Sequence, residues 1–427
     1  MTPAEALAKE AREKGVTPLQ ALMERGRARA TLTMLGPSFV AAIAYVDPGN
    51  FATNIAGGAR YGYMLLWVVL AANLVAMLIQ YLSAKLGIAT DRDLPELFRA
   101  RHARWASTGM WLQAEVVAMA TDIAEFIGAA LGLNLLFHVP LLPAGAITGV
   151  IAFALLGLEQ VGFRQFELAI TGLLGVIFLG FLYELLRIGP STSGMAHGLV
   201  PHLDGPDSVY LAVGIIGATV MPHAVYLHSA LTSKRMPMQG IAERRRVLRF
   251  ERLDIVLALG LAGAINMAML AVAAKLFFHK GLPGVDTIQG AHHELGRIAG
   301  GGAALVFAVA LLASGVSSSS VGTYAGQVVM AGFVNLRLPL VLRRLVTMAP
   351  ALIVLGVGAS PTSALVLSQV VLSFGIPFAL VPLVRMTSSR DVMGVLVNRR
   401  LTTAAAWAVA ALIVALNVFL LLRQAGV

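Results

Sequence analysis

Apolar residues occur in long runs separated by short polar stretches, and many runs reach the roughly 20 residues that a helix needs to cross a bilayer. Eleven such runs can be counted in the 427 residues. They lie at about 33–59, 63–89, 108–136, 141–158, 166–187, 208–232, 253–278, 302–333, 340–357, 361–384 and 401–423. This pattern predicts an all-α polytopic membrane protein with eleven transmembrane helices.

Composition agrees with this prediction and narrows the chemistry. Hydrophobic residues make up 58% of the chain and charged residues 13%, against about 25% charged in an ordinary soluble domain. The absence of cysteine excludes disulfides and thiolate metal sites. Residues 1–32 are polar with no apolar core, which indicates a cytosolic tail, solvated rather than lying on anionic lipid, and not a cleaved signal peptide.

The basic residues predict the orientation in the membrane. With the amino terminus in the cytosol, 26 of the 32 Lys and Arg fall on the cytosolic side and six on the external side. This bias follows the positive-inside rule and places the carboxyl terminus outside. It also explains the net charge of +10 better than nucleic-acid binding does. We expect a multi-pass membrane protein with a cytosolic amino terminus and an external carboxyl terminus.

The first apolar segment contains a helix breaker at its centre. Pro48 has no N–H, so the carbonyl of Ala44 loses its helical partner. Gly49 lets the freed backbone turn, while Asp47 and Asn50 place side-chain oxygens on either side of the break. We expect a helix interrupted inside the membrane.

The sixth segment contains a second break, where Pro222 frees the carbonyl of Ala218 in the same way. An offset of five segments turns the second break upside down relative to the first. That arrangement predicts a five-plus-five inverted repeat with a cation site at its centre. The predicted domains are a tail (1–32), a ten-helix transport core (33–400), and an eleventh helix with a short external end (401–427).

The two breaks together supply a mixed set of metal ligands. Asp47 and Asn50 offer oxygens, Met221 a thioether, and Ala44 and Ala218 free carbonyls at half-helix ends, where the partial charge is negative. Sulfur beside oxygen favours transition metals over Ca²⁺ and Mg²⁺. Asp47 could instead only cap its own half-helix, and Met221 could only pack. A sodium site would explain Asp47 and the carbonyls but not Met221.

Ionisable residues near the breaks form a second candidate group. Acids inside a membrane must face protein or water, because facing lipid is prohibitive. The group comprises His223, His228, Glu115, Asp122, Glu125, Arg343 and Arg344. It predicts either a proton path leading inward from the metal site or a structural salt-bridge network. Gln369 in segment ten is a further candidate oxygen ligand, or else a hydrogen-bonded interface residue.

Three stretches resemble the Nramp family of divalent metal transporters, and the likeness runs from about residue 33 to the end. They are Ala44-Tyr45-Val46-Asp47-Pro48-Gly49-Asn50-Phe51-Ala52-Thr53-Asn54, Gly217-Ala218-Thr219-Val220-Met221-Pro222-His223, and Ala118-Met119-Ala120-Thr121-Asp122-Ile123-Ala124-Glu125-Phe126. The sequence is close to the bacterial proton-coupled manganese transporters of that family, which implies a bacterial plasma (inner) membrane.

The resemblance implies a LeuT-type fold and alternating access, with transported metal and protons and no bound cofactor. It implies metal ligands at Asp47, Asn50, Met221 and Ala218, with Ala44 and Gln369 taking part in some states. It further implies proton-linked roles for His223, Glu125, Asp122, Glu115, Arg343 and Arg344, and a gating role for His228.

Two other classes remain open on the residues alone. An amino-acid/proton symporter could share the fold, although Asp47 would repel a substrate carboxylate and Met221 would have no task. A channel fits twin broken helices poorly. No phosphate-binding loop of the G-x-x-x-x-G-K-[ST] type is present, so ATP-driven pumping is not expected, and no feature points to an obligatory protein partner.

Overall fold

The computed structural model describes residues 11, 13–26, 33–161, 163–233, 235–278, 285–336 and 338–424, and these form helices and no strand. In chain order the helices are α1 (Pro18–Glu24), α2 (Pro37–Ile43), α3 (Pro48–Tyr61), α4 (Leu66–Thr90), α5 (Leu94–Arg101), α6 (Arg104–Phe137), α7 (Leu141–Val161), α8 (Phe163–Ile188), α9 (Thr192–Gly198), α10 (Gly205–Thr219), α11 (Pro222–Ser233), α12 (Gly240–Phe277), α13 (Ile288–Ala299), α14 (Gly301–Val334), α15 (Leu340–Gly356), α16 (Pro361–Thr387), α17 (Arg390–Met393) and α18 (Arg400–Gln424).

All eleven predicted apolar segments are helical. Within the described residues, eight helices are long and apolar enough to cross a membrane, and three shorter apolar ones occupy the remaining positions. The shorter ones are Pro37–Val46, Leu141–Leu155 and Leu345–Gly356. One predicted boundary is wrong: α12 begins at Gly240 rather than near 253, so residues assigned to a loop lie on the helix.

Both predicted breaks are present. After α2 ends at Ile43, a 3₁₀ turn spans Ala44–Val46, and α3 then starts at Pro48. Likewise α10 ends at Thr219, and α11 starts at Pro222. Each proline stands first in the second half-helix, where its missing N–H would have no helical partner.

The central pair of helices, α6 and α14, packs closely because small residues let the backbones approach. A Cβ on Gly315 would lie 2.6 Å from the backbone nitrogen of Ala129, and one on Gly132 would lie 2.8 Å from the Cα of Leu312. Helix α6 also meets the first break, since a Cβ on Gly128 would lie 2.0 Å from that of Pro48. The first break therefore packs tightly against this pair of helices.

The described part of the amino-terminal tail is packed against the transport core. Leu19 and Leu22 of α1 are buried against Ile88 at the end of α4 and against Val247 and Leu248 of α12. The expectation of a solvated tail is wrong for this stretch. The apolar face of α1 can pack on α12 because α12 begins at Gly240, 13 residues before its predicted start at 253.

Candidate metal-binding site between two interrupted helices

Asp47 occupies the first break and is completely buried. Its Oδ1 caps α3 by accepting the backbone N–H of Asn50 at 2.8 Å. Its Oδ2 has no hydrogen-bond partner among the described residues. Capping therefore uses only Oδ1. Oδ2 stays without a partner, and a buried carboxylate oxygen without a hydrogen bond is energetically costly.

Asn50 joins the two breaks. Its Nδ2 donates to Asp47 Oδ1 at 2.8 Å and to the carbonyl of Ala218 at 3.1 Å. Its Oδ1 accepts the Thr219 hydroxyl at 3.4 Å. The carbonyl that Pro222 frees in the sixth segment therefore faces the polar side chains of the first.

Gln369 reaches the first break from α16. A Cβ on Gly49 would lie 2.0 Å from its Nε2, so only glycine leaves room for this amide. The Oε1 of Gln369 is buried and has no hydrogen-bond partner in the described part of the chain. A second unsatisfied oxygen thus lies beside the break that carries Asp47.

Met221 is buried at the sixth-segment break, directly before α11. Ala44 is buried in the 3₁₀ turn before Asp47. The next two carbonyls of that turn are held by side chains: Asn266 Nδ2 donates to Tyr45 at 2.7 Å, and the Ser314 hydroxyl donates to Val46 at 2.6 Å. Helices α12 and α14 thereby support the interrupted backbone.

Among the predicted proton-linked residues, Glu115 and Arg343 form an ion pair of 3.2 Å between α6 and α15. The Trp111 indole also donates to Glu115, at 3.0 Å. Asp122 lies within electrostatic range of Arg343. The guanidinium occupies space left by Gly326, where a Cβ would lie 1.9 Å from it. The side chain of Arg344 lies outside the described residues.

His223 connects the sixth-segment break to α6. Its Nδ1 lies 3.4 Å from the Thr121 hydroxyl, and its Nε2 is buried with no hydrogen-bond partner within the described ranges. Glu125 is buried one turn further along α6, with its carboxylate about 3 Å from where a Cβ on Gly322 would lie. The predicted group thus divides: Glu115 pairs with Arg343, His223 contacts α6 at Thr121, and Glu125 lies beside Gly322 of α14.

His228 lies in a separate buried network. Its Nδ1 is 2.8 Å from Gln80 Oε1, and its Nε2 is 2.8 Å from Glu251 Oε1. Gln80 in turn donates to the Tyr45 hydroxyl, and the Ser38 hydroxyl donates to Glu251 at 3.1 Å. This network ties α2, α4, α11 and α12 together.

Asp254 completes the network by capping α2. It accepts the backbone N–H of Ser38 at 2.9 Å and that of Gly36 at 3.2 Å. Sequence reasoning missed both Glu251, which it left in the loop before 253, and Asp254, which it overlooked at the start of the seventh segment. Their spacing of three places both acids on one face of a helix, and that signal could have revealed them.

No group of three or more His, Cys, Asp or Glu side chains suited to a metal occurs in the part of the chain that the structure describes. The donors at the breaks are one carboxylate with neutral amide, carbonyl and thioether groups. An all-helical membrane protein with such a site between two interrupted helices has the architecture of a secondary transporter.

Comparisons with known proteins agree with this class. The family model "Nramp: Natural resistance-associated macrophage protein-like" matches residues 38–423, so the chain belongs to the Nramp family. The "Divalent metal cation transporter MntH" of Deinococcus radiodurans is 54% identical over 93% of this chain and 91% of its own. The protein of that name from Bacillus subtilis is 52% identical over 92% of each chain.

Solved structures support the fold. A manganese transporter from Eremococcus coleocola superposes with a TM-score of 0.84 at 35% identity, covering 92% of this chain and 86% of that one. MHP1, a nucleobase-cation-symport-1 family transporter, superposes with a TM-score of 0.60 at 15% identity over 90% of each chain. The predicted fold class, a LeuT-type inverted repeat with an eleventh helix, is confirmed, and the protein is a transporter rather than an enzyme.

Proposed function

We propose that this protein is a secondary importer of divalent transition metals, Mn²⁺ and Fe²⁺ among them, with protons moving in the same direction. The observation that carries the proposal is the buried Oδ2 of Asp47, which has no hydrogen-bond partner among the described residues and lies where two helices are interrupted. The names of the relatives, divalent metal cation transporters, support the choice of substrate.

The metal is held by Asp47, Asn50, Met221 and the carbonyl of Ala218, and Ala44 and Gln369 join in other states. In this structure the Asn50 amide N–H group contacts both Asp47 and Ala218. A cation would take the place of that N–H group between the two oxygens. Rotation of the amide would then turn its own oxygen toward the metal.

Met221 provides the discrimination between metals. Ca²⁺ and Mg²⁺ prefer oxygen ligands alone, whereas Mn²⁺ and Fe²⁺ accept softer donors such as a thioether. One sulfur among oxygens therefore reduces the gain from binding an alkaline-earth ion. The single carboxylate cancels only one of the two charges of a divalent ion, because the remaining ligands are neutral.

Protons follow a different route, through His223 and the acids of α6. We infer that His223 and Asp47 receive the proton, and that Glu125, Asp122, Glu115, Arg343 and Arg344 pass it toward the cytosol. His223 lies within 3.4 Å of Thr121, which is adjacent to Asp122 on α6. A membrane potential that is negative inside favours the entry of both cations.

Alternating access is achieved by rotation of the half-helices about the two breaks. The network around His228 joins α2 to α11 and α12 at the predicted cytosolic end, so its separation would open the site inward. His228 acts as a gating residue in this scheme. The amino terminus is cytosolic, and the chain works in the lipid bilayer without ATP or an obligatory protein partner.

The test measures uptake of Mn²⁺ and Ca²⁺ into liposomes, together with internal pH, for wild type, Met221→Ala and Asp47→Ala. Met330→Ala provides the control, since Met330 is a buried methionine on α14, outside the breaks. We expect Mn²⁺ uptake with acidification in wild type and in Met330→Ala. Met221→Ala should admit Ca²⁺, and Asp47→Ala should transport neither ion.

Unchanged selectivity in Met221→Ala would show that the sulfur only packs, and the account of metal discrimination would be wrong. Uptake of Mn²⁺ without internal acidification would remove the proton coupling. No Mn²⁺ uptake by wild type at any pH, combined with uptake of an amino acid, would replace the proposal with a symporter.

A further inference from the structure

Glu184 is a buried acid that takes no part in the proposed binding of metal or transfer of protons. It lies near the end of α8 and is 1% exposed. Neither of its carboxylate oxygens has a hydrogen-bond partner among the described residues. An ionised carboxylate costs several kcal/mol to bury without a partner, so this conformation requires the neutral, protonated form.

The carboxyl group faces a small cavity whose other walls are apolar. The lining comes from five helices, with Ile55 on α3, Phe181 on α8, Met269 on α12, Leu295 on α13 and Phe307 on α14. Glu184 is the only ionisable residue that lines it within the described ranges. The described lining therefore contains no charge that could balance an ionised Glu184.

Near the predicted external ends of these helices, the described charged side chains are paired with each other or exposed. Arg60 of α3 binds Asp286, and Arg297 of α13 binds Glu294, which also contacts His293. Arg187 of α8 and Lys275 of α12 are exposed, and His292 of α13 is half-buried with its ring 6.2 Å from that of Phe307. Helix α14 carries no charged residue.

An aromatic cluster separates this cavity from the metal-binding site. The ring of Phe51, next to Asn50, lies 5.2 Å from that of Phe181 and 5.8 Å from that of Phe307. Helix α13 covers the opposite side of the cavity, where Ala291 and Leu295 line it. The cavity thus lies between the metal site and the predicted external surface.

We propose that Glu184 is a proton-binding site that controls closure of the external side: the side closes only when this carboxyl group carries a proton. Opening lets water reach the group, which then releases the proton. External acid consequently favours the closed form, by at most about tenfold per pH unit for one titrating group. The inference rests on the alternating access proposed above but needs no metal.

The absence of cysteine from the chain makes a direct test simple. An Ile55→Cys variant places one thiol in the cavity, and a membrane-impermeant thiol reagent then reports external opening without metal. Labelling rates of Ile55→Cys are measured between about pH 5 and pH 8. Each rate is divided by that of Val200→Cys, at an exposed position before α10, and this division corrects for the thiolate fraction.

We expect the corrected labelling rate to fall as external pH falls. Added to Ile55→Cys, Glu184→Gln should give slow labelling at every pH, because the amide stays neutral. Glu184→Asp should keep the pH dependence. Glu294→Gln, which alters an ion-paired acid on α13, should behave like the unaltered background.

Three results would overturn the proposal. They are persistence of the pH dependence in Glu184→Gln, no labelling of Ile55→Cys at any pH, and loss of the pH dependence in an Asp47→Ala background, which would assign the titrating group to the metal site. If Glu184→Gln does not fold, Glu184→Met tests the same point in an apolar setting. Labelling is independent of metal uptake, so failure here is distinguishable from failure of the proposed function.

Discussion

Two buried polar clusters in this protein differ in how completely their hydrogen bonds are formed. At the predicted cytosolic end, His228 has a partner at each ring nitrogen, and Glu251 contacts both His228 and Ser38. Asp254 accepts two backbone N–H groups. This cluster is largely satisfied by the protein itself.

At the helix breaks the opposite holds. Asp47 Oδ2, Gln369 Oε1 and His223 Nε2 are all buried, and none has a hydrogen-bond partner in the described part of the chain. Buried polar groups in folded proteins are nearly always paired, so a concentration of unpaired ones needs a reason. A transported cation and a proton would supply the missing interactions.

The difference separates two tasks. A satisfied network stabilises one conformation, because every group would lose a partner when the helices separate. An unsatisfied cluster contributes little to stability and stays available for a ligand. Substitutions in the two clusters should therefore have opposite effects on binding and on conformation.

The largest effect is expected for Asp47→Asn. The change removes the only anionic donor at the breaks, and Mn²⁺ affinity measured by calorimetry should fall at least about 100-fold, or roughly 3 kcal/mol. The thermal unfolding midpoint should not fall, because no satisfied charge is lost from Oδ2. Retained affinity would mean that the metal binds elsewhere.

Glu251→Gln should have the reverse profile. Loss of the charge weakens the contacts to His228 and Ser38, at about 1–3 kcal/mol for a hydrogen bond to a charged group. Mn²⁺ affinity should change little, whereas a cysteine at Val40 on α2 should label roughly 5- to 100-fold faster from the cytosolic side. Glu24→Gln, in an exposed pair with Lys14, is the control. Equal labelling in both variants would remove the network from gating.

Gly128→Ala tests the support of the first break. The new Cβ would lie 2.0 Å from that of Pro48, so α6 must shift, at about 1–3 kcal/mol. Gly109→Ala on the same helix has no atom within 4 Å of its Cβ and should instead stabilise by up to about 1 kcal/mol. The thermal unfolding midpoint should fall for Gly128→Ala and rise for Gly109→Ala. A shift of both midpoints in the same direction would contradict the close contact between α6 and Pro48.

The smallest effect is expected at the surface pair of Arg60 and Asp286, whose side chains are 54% and 34% exposed. Arg60→Gln should change the unfolding free energy by less than about 1 kcal/mol, because exposed ion pairs contribute little. Mn²⁺ uptake should be unchanged. A strong effect on Mn²⁺ uptake would show instead that this external ion pair takes part in transport.

Prediction from sequence succeeded where the signal was local. Apolar runs gave eleven helices, and Pro48 and Pro222 gave the two breaks. The contact between Asn50 and the Ala218 carbonyl follows from those breaks once both lie at the same depth. The predicted ligand roles all stay predictions: those of Asp47, Asn50, Met221, Ala218, Ala44 and Gln369.

Prediction failed where the signal was distant or was overlooked. Sequence reasoning grouped Arg343 with the acids of α6 as a candidate salt-bridge partner, but only the fold selected Glu115, 228 positions away, among those acids. Glu184 could have been noticed as a lone acid in an apolar segment, yet only the surrounding five helices show that it has no partner among the described residues.

The amino-acid sequence by itself determined that this is a membrane protein, how many apolar segments it has, and where two of them are interrupted. These features depend on hydrophobic length and on a missing N–H, which act within one segment. Tertiary structure decided which polar groups are satisfied. Ser38 and Glu251 lie 213 positions apart and become partners only when α2 packs on α12. Hydrogen-bond satisfaction depends on what surrounds a group in space, and that depends on how all the helices pack.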